Sequence, residues 1–405
     1  MHPDLPNYLL ENSGPVIRYR TATELPDDPA GIDLDHLRQD LLQTRLVHRW
    51  LERLVPGGIH SSHNTAFENP MNKLADLGLK AGMAPLDMRT AHFRRLLAER
   101  APRREGMAFL LDKIIMSAGL LRGGYPMEEP VISFLRQRLD DLYETCRKGS
   151  YDIYIGEDEY AGIPKAFRKK RFLKPELTPD GEVRLPYVHD LYALAHFPDN
   201  ARDAATARKI ATIIHYVLDP RYQTLGDGYG YLRERHDQHT HHYAIGWSAH
   251  LPVCAKRTPE GGMTVLGWGG DPSCGTAAPG CGGAAPAAPR TTPTRRDPTS
   301  ASASELPAVT PPTGFERARV VQRMELMAHF PAARETRAFQ DCLAHLEAHR
   351  TDRGTYLFPR DYLREQQSGY WVTGAYMALE DNRRSPHAIE LESTFRMLTI
   401  KRRAG

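Results

Sequence analysis

Apolar side chains recur along most of this 405-residue chain at the period of a helix buried on one face. Leu37, Leu41, Leu46, Trp50 and Leu54 predict a long helix over Asp35 to Leu54, stopped by Val55-Pro56-Gly57-Gly58. Phe109, Leu110, Ile114, Ile115 and Ala118 predict another from Met107 to Leu121. Ile132, Leu135, Leu139 and Leu142 give the buried face of one opening at Pro130, where a missing donor costs little. Ile210, Ile213, Ile214 and Val217 mark one that stops at Asp219-Pro220. Further helices are expected after Pro70, over Arg89 to Ala98, Tyr187 to Phe197, Phe315 to Phe330, Thr336 to His349, Tyr370 to Leu379 and His387 to Leu398. Two short strands are expected, at Val16 to Tyr19 in an irregular lead-in over residues 1–33, and at Tyr151, Ile153 and Ile155. The fold class is all-α.

The pattern lapses over residues 268–313, which are rich in Pro, Ala, Thr, Gly and Ser and hold few large apolar side chains to offset the entropy of ordering. They read as a disordered insertion. It divides a helical-repeat domain into a first part, 34–267, and a last part, 314–400.

Between the helices a similar turn returns: Gly57-Gly58-Ile59-His60, Gly123-Gly124-Tyr125-Pro126, Ser150 to Tyr154, Gly226-Asp227-Gly228-Tyr229-Gly230-Tyr231 and Gly354 to Pro359. Helical hairpins at intervals of roughly 60 to 75 residues, the insertion set aside, point to a repeat architecture in which neighbours bury each other's stripes. Ordinary helix C-caps rich in glycine are the plainer explanation of the same turns. This helix, glycine-aromatic turn, helix pattern resembles the α/α toroids of the prenyltransferase and squalene-cyclase type, most closely at Leu225 to Tyr231 and next at Arg353 to Phe358. The usual glutamine and tryptophan are absent from these turns. So are the cyclases' aspartate-rich acid motif and a zinc-site set of cysteine, aspartate and histidine. The resemblance implies a fold, a toroid-like ring of helical hairpins, and no activity.

Charge and composition exclude more than they assign. Lys plus Arg number 53 against 50 Asp plus Glu, a net charge of +3 that offers no bulk attraction for nucleic acid, and none is expected as a partner. No basic start followed by an apolar run suggests a signal peptide, and no window approaches the length of a transmembrane segment. Five scattered cysteines fit a reducing, cytoplasmic setting.

The densest candidate chemistry is His236, His239, His241 and His242 with Asp227, Glu234 and Asp237 nearby. Imidazoles and carboxylates at this density suit zinc, manganese or iron, or a proton-transfer pair, or ordinary surface and packing roles. No cofactor is named by the sequence, and the metal is left open. Asp227, His236, His239 and Glu234 are the provisional catalytic residues. Tyr229, Tyr231, Trp247, Tyr356 and Trp371 are the provisional substrate-binding aromatics, with packing against helix ends as the competing role. The expectation is an enzyme acting on a carbohydrate-like or isoprenoid-like small molecule in a central cavity. The alternative is a non-catalytic helical-repeat protein that binds a peptide or protein. No Walker loop, dinucleotide fingerprint, HExxH or GxSxG is present.

Overall fold

In the computed structural model the placement of residues 4–25, 31–103, 107–156, 172–223, 229–235, 238–244, 255–257, 263–265, 309–310, 317–384 and 386–405 is described. Helices dominate. They are α1 (Leu5–Asn12), α2 (Pro15–Glu24), α3 (Leu34–Leu42), α4 (Arg45–Arg53), α5 (Glu68–Asp76), α6 (Ala84–Arg100), α7 (Met107–Arg122) and α8 (Glu129–Cys146), followed by α9 (Val188–Ala195), α10 (Ala204–Leu218) and α11 (Pro220–Gln223). Further along the chain come α12 (Arg317–Met327), α13 (Pro331–Arg334), α14 (Arg337–Glu347) and α15 (Pro386–Ala404). The fold class is all-α, as the periodicity predicts. No helix among the described residues is long and apolar enough to cross a membrane.

Four local expectations are corrected. The lead-in is not irregular and holds no strand at 16–19. Asp4 caps α1, Pro15 opens α2, and Val16, Ile17, Arg20 and Thr21 are buried at helical spacing. The single helix expected over 35–54 is two, because Gln43 ends α3 and Thr44 turns outward to cap α4, its hydroxyl accepting from Val47 N–H. Tyr370 to Leu379 is not a helix. A single 3-10 turn, Trp371–Thr373, is stopped by Gly374 at φ 68°. The stretch after α10 does not complete a helical hairpin. Its backbone forms an antiparallel ribbon of β1 (Tyr229–Arg235) and β2 (Gln238–Ala244), joined by a smaller group in which β4 (Met263–Val265) lies between β3 (Ala255–Arg257) and β5 (Val309–Thr310).

Burial separates the helices into two sets. Every residue of α5 and of α9 is buried, so these helices lie inside. By contrast α6 buries one stripe, Leu86, Thr90, Phe93 and Leu97, and α10 buries Ile210, Ile213, Ile214 and Val217 with their neighbours. Packing follows the same division. Helix α5 packs on α7, α7 on α9, α9 on α12, α12 on α15, and α15 on α2, while α6 meets α8, α8 meets α10, and α10 meets α13. Arg20 of α2 closes the first series by donating to Asp76 O at 2.7 Å, at the end of α5.

The inner helices carry polar groups that an apolar core does not need. On α5, Glu68, Asn69, Asn72, Lys73 and Asp76 are all buried. Burying such groups is costly unless each finds a partner, and each does. Lys73 donates through Nζ to the carbonyls of Tyr376 and Ala378, tying α5 to the 365–380 segment. Asp190 of α9 takes a two-pronged contact from Arg138 of α8, at 3.0 and 2.8 Å.

Candidate functional site

The polar stripe of α5 positions chemistry at both of its ends. At the N-terminal end, Glu68 is fully buried between two imidazoles. His60 Nδ1 lies 2.6 Å from Oε2, and His189 Nε2, from the first turn of α9, lies 3.2 Å from Oε1. Burial alone would raise the carboxyl. The two imidazoles, His60 first, outweigh it and bring Glu68 down to about 2. An ionised carboxylate only accepts, so His60 donates from Nδ1 and His189 from Nε2. In the neutral form of each ring the remaining basic nitrogen is then Nε2 of His60 and Nδ1 of His189. His189 is 0% exposed and its Nδ1 is buried with no hydrogen-bond partner, whereas the His60 side chain is 22% exposed and reaches solvent.

The loop that carries His60 is held by side chains rather than by regular structure. Asn69 Nδ2 donates to the carbonyls of Ser61, His63 and Gly369 at 3.0 to 3.1 Å, and Asn64 Nδ2 donates to Gln367 O at 2.6 Å. Tyr370 stacks on the His60 ring, with centroids 4.9 Å apart and planes at 24°. The imidazole is thereby fixed in orientation by a carboxylate on one side and an aromatic face on the other.

At the C-terminal end of α5 a cavity of about 460 Å³ opens between α2, α5, α7, α9, α12 and α15. Asp76 accepts from Arg122 Nη2 at 2.6 Å, and the Arg122 guanidinium lies 4.2 Å over the Trp371 ring and 5.1 Å over Tyr192. His196 and His329 face each other across the cavity wall with ring centroids 4.8 Å apart. Lys80 stands at the rim. The residue is exposed as a whole, but crowding of its ammonium by protein atoms lowers it to about 8, with Arg122, Arg20 and Arg403 adding to the effect against the pull of Glu24.

Among the described residues, Trp371 is the provisional substrate-binding residue that lies on the wall of this cavity. Its indole is almost wholly buried. Tyr356 is elsewhere: it lies between α14 and α15, donating to Glu347 Oε2 at 2.7 Å and receiving Lys401 Nζ at 3.3 Å, a packing position away from the cavity lining. Tyr229, Tyr231 and Glu234 lie on β1 and His239 on β2, where the register sets Glu234 opposite His239. Asp227, His236 and Trp247 lie outside the described residues, as do the acids at 157–159 and the basic run 168–171. Among the described residues no group of three or more His, Cys, Asp or Glu is placed to hold a metal ion.

The residues that do converge, Glu68 and His189, were not in the candidate set. His60 and Glu68 are close in sequence, but His189 lies 121 residues beyond Glu68, and no periodicity links them. The available signal was the polar run Glu68-Asn69-Pro70-Met71-Asn72-Lys73 inside a helix otherwise flanked by core residues. No family model, no curated protein and no solved structure matches this chain, so a reading of its chemistry rests on its own residues.

Proposed function

We propose that this chain is an enzyme of α/α-toroid type acting on a hydroxyl-bearing, carbohydrate-like small molecule, with His60 as general base and Glu68 as the residue that positions it. The toroid reading is supported by the inner series α5, α7, α9, α12, α15 and α2, which alternates along the chain with helices buried on one face only. The observation that carries the catalytic reading is the buried Glu68 carboxylate engaged by two imidazoles, one of which reaches solvent.

In this reading His60 Nε2 takes the proton of a substrate hydroxyl, and the imidazolium so formed is stabilised by the carboxylate on its Nδ1 side. His189 holds the other carboxylate oxygen, so Glu68 does not rotate. Tyr370 keeps the ring planar to its own face and offers an aromatic edge to a sugar. The isoprenoid-like alternative has less support, because the groups that converge are hydrogen-bonding ones.

The test is ligand protection. A set of sugars and sugar acids is screened by thermal shift, and the chain is treated with diethylpyrocarbonate, which acylates imidazole nitrogen. Compounds that raise Tm are expected to shield His60, and Glu68→Gln to abolish the shielding. Stabilising compounds that leave His60 fully reactive would place the site elsewhere.

A further inference from the structure

The cavity at the opposite end of α5 plays no part in that reaction. Its three carboxylates are each engaged by a guanidinium: Glu24 by Arg20 at 2.6 and 2.8 Å, Asp76 by Arg122 at 2.6 Å, and Glu325 by Arg396 at 2.8 Å to both oxygens. Lys80, Arg402 and Arg403 line the cavity as well. Lys80 Nζ donates to Arg122 O at 2.7 Å, Arg402 donates to Leu25 O, and Arg403 reaches the already engaged Glu24 and Glu325 O, each at 3.5 Å. Among the described residues the lining thus holds five cations, Arg20, Lys80, Arg122, Arg402 and Arg403, against three carboxylates.

A second observation is independent of charge. Gln322, 3% exposed on the cavity wall, spends Nε2 on Trp371 O at 2.8 Å and leaves Oε1 buried with no partner. A buried acceptor without a donor marks a place where a ligand O–H is received, a group that hydrogenphosphate keeps as a dianion and a fully ionised dicarboxylate does not.

We propose that this cavity binds a small dianion, a phosphate or a dicarboxylate, and that His196 and His329 take up protons as it enters. Two excess cations match the charge of a dianion. The two imidazoles face each other at 4.8 Å, and are met by Arg122 from α7, Lys80 from the loop after α5, Arg202 from the segment after α9, and Arg403 from α15. Burial lowers both rings first, followed for His196 by the neighbouring His329 and then the cations, and for His329 by the cations, Arg403 foremost. Tyr19 and the Arg20–Glu24 pair of α2, Asp76 of α5, Tyr192 of α9, Glu325 of α12 and Arg402 of α15 are the other charged and titratable groups of the lining. Arg122 and Arg403 also sit in last helical turns, where cations complement carbonyl ends. That accounts for those two residues and leaves Lys80, the facing imidazoles and the unpartnered Gln322 oxygen to be explained by a ligand.

Calorimetric titration of the full chain at pH 7 with inorganic phosphate and, separately, with succinate tests this, each in two buffers of different protonation enthalpy. The expected result is saturable binding of at least one of them, one per chain, with net proton uptake. Preference for phosphate or for succinate identifies the oxyanion. Uptake should fall in His196→Gln and in His329→Gln, and Lys80→Gln, at an exposed position that does not threaten folding, should weaken binding about tenfold, the loss of one charge-assisted contact. Failure of both dianions to bind, or binding indifferent to Lys80→Gln, overturns the site. Binding without proton uptake overturns the role of the histidines. The shielding of His60 by sugars is read separately, so neither result decides the other.

Discussion

The indole N–H of Trp371 donates to Oδ2 of Asp76 at 2.5 Å, joining positions 295 residues apart in the sequence. The same Asp76 takes Arg122 on its other oxygen, and the Trp371 backbone N–H donates to Asn69 Oδ1 at 2.7 Å. One helix of nine residues thus anchors the 369–378 segment by its side chains alone.

Trp371→Phe keeps much of the ring and removes the donor to Asp76. A charge-assisted bond between buried groups is worth about 1.5 to 3 kcal/mol, so urea denaturation should show a loss of about 2 kcal/mol. In the double variant with Asp76→Asn the losses should not add, since both remove the same contact. Full additivity would mean the bond contributes nothing.

Glu68→Gln leaves two imidazoles without the carboxylate they were built around, and should cost about 3 to 5 kcal/mol at neutral pH. Because the folded Glu68 carboxyl sits at about 2, below its ordinary 4.5, its contribution is present above pH 4.5 and lost as pH falls toward 2. Stability measured across that window should fall more steeply in the parent chain than in Glu68→Gln.

Glu380 shows the opposite sign. It caps α2 by accepting Ile17 N–H at 2.9 Å, but burial pushes it up to about 7 against the pull of that N–H, with Glu392 and Asp381 adding to the rise. The folded chain holds this proton more tightly than the unfolded one, so stability drops as pH rises from about 4.5 to 7. Glu380→Gln keeps an acceptor and removes the charge. Its Tm should exceed that of the parent at pH 8 and approach it at pH 5; equal values at pH 8 would refute the assignment.

Cys146 and Cys342 are buried, and burial pushes both thiols up out of the range where thiolate forms. Neither should react with Ellman's reagent in the folded chain, and both should react in denaturant. Rapid labelling of either in the native state would contradict its burial.

Much of the helical body was legible in the sequence, because one-sided helices such as α8 and α10 print their buried face as a stripe. Their boundaries were less so. Thr44 ends one helix and starts another with no glycine or proline to mark the break, and Tyr370 to Leu379 has helical composition but a left-handed Gly374 in its midst. The fully buried helices were the hardest part to read. Helix α5 is buried on every side and polar on several, so its pattern imitates a surface helix, and only the partners supplied by α7, α9 and the 365–380 segment reveal otherwise. Histidine density drew attention to 236–242, whereas the imidazoles that meet the buried Glu68 are His60 and His189, far apart in the sequence.

The packing of α15 against α2 has a consequence for synthesis. Phe395 lies under the Arg20 guanidinium at 4.6 Å, and Arg402 donates to Leu25 O, so the earliest helices are completed by the latest. Until α15 has been made, the side of α2 that it covers lacks this packing, so α2 reaches its final burial only after the helices between them have been made.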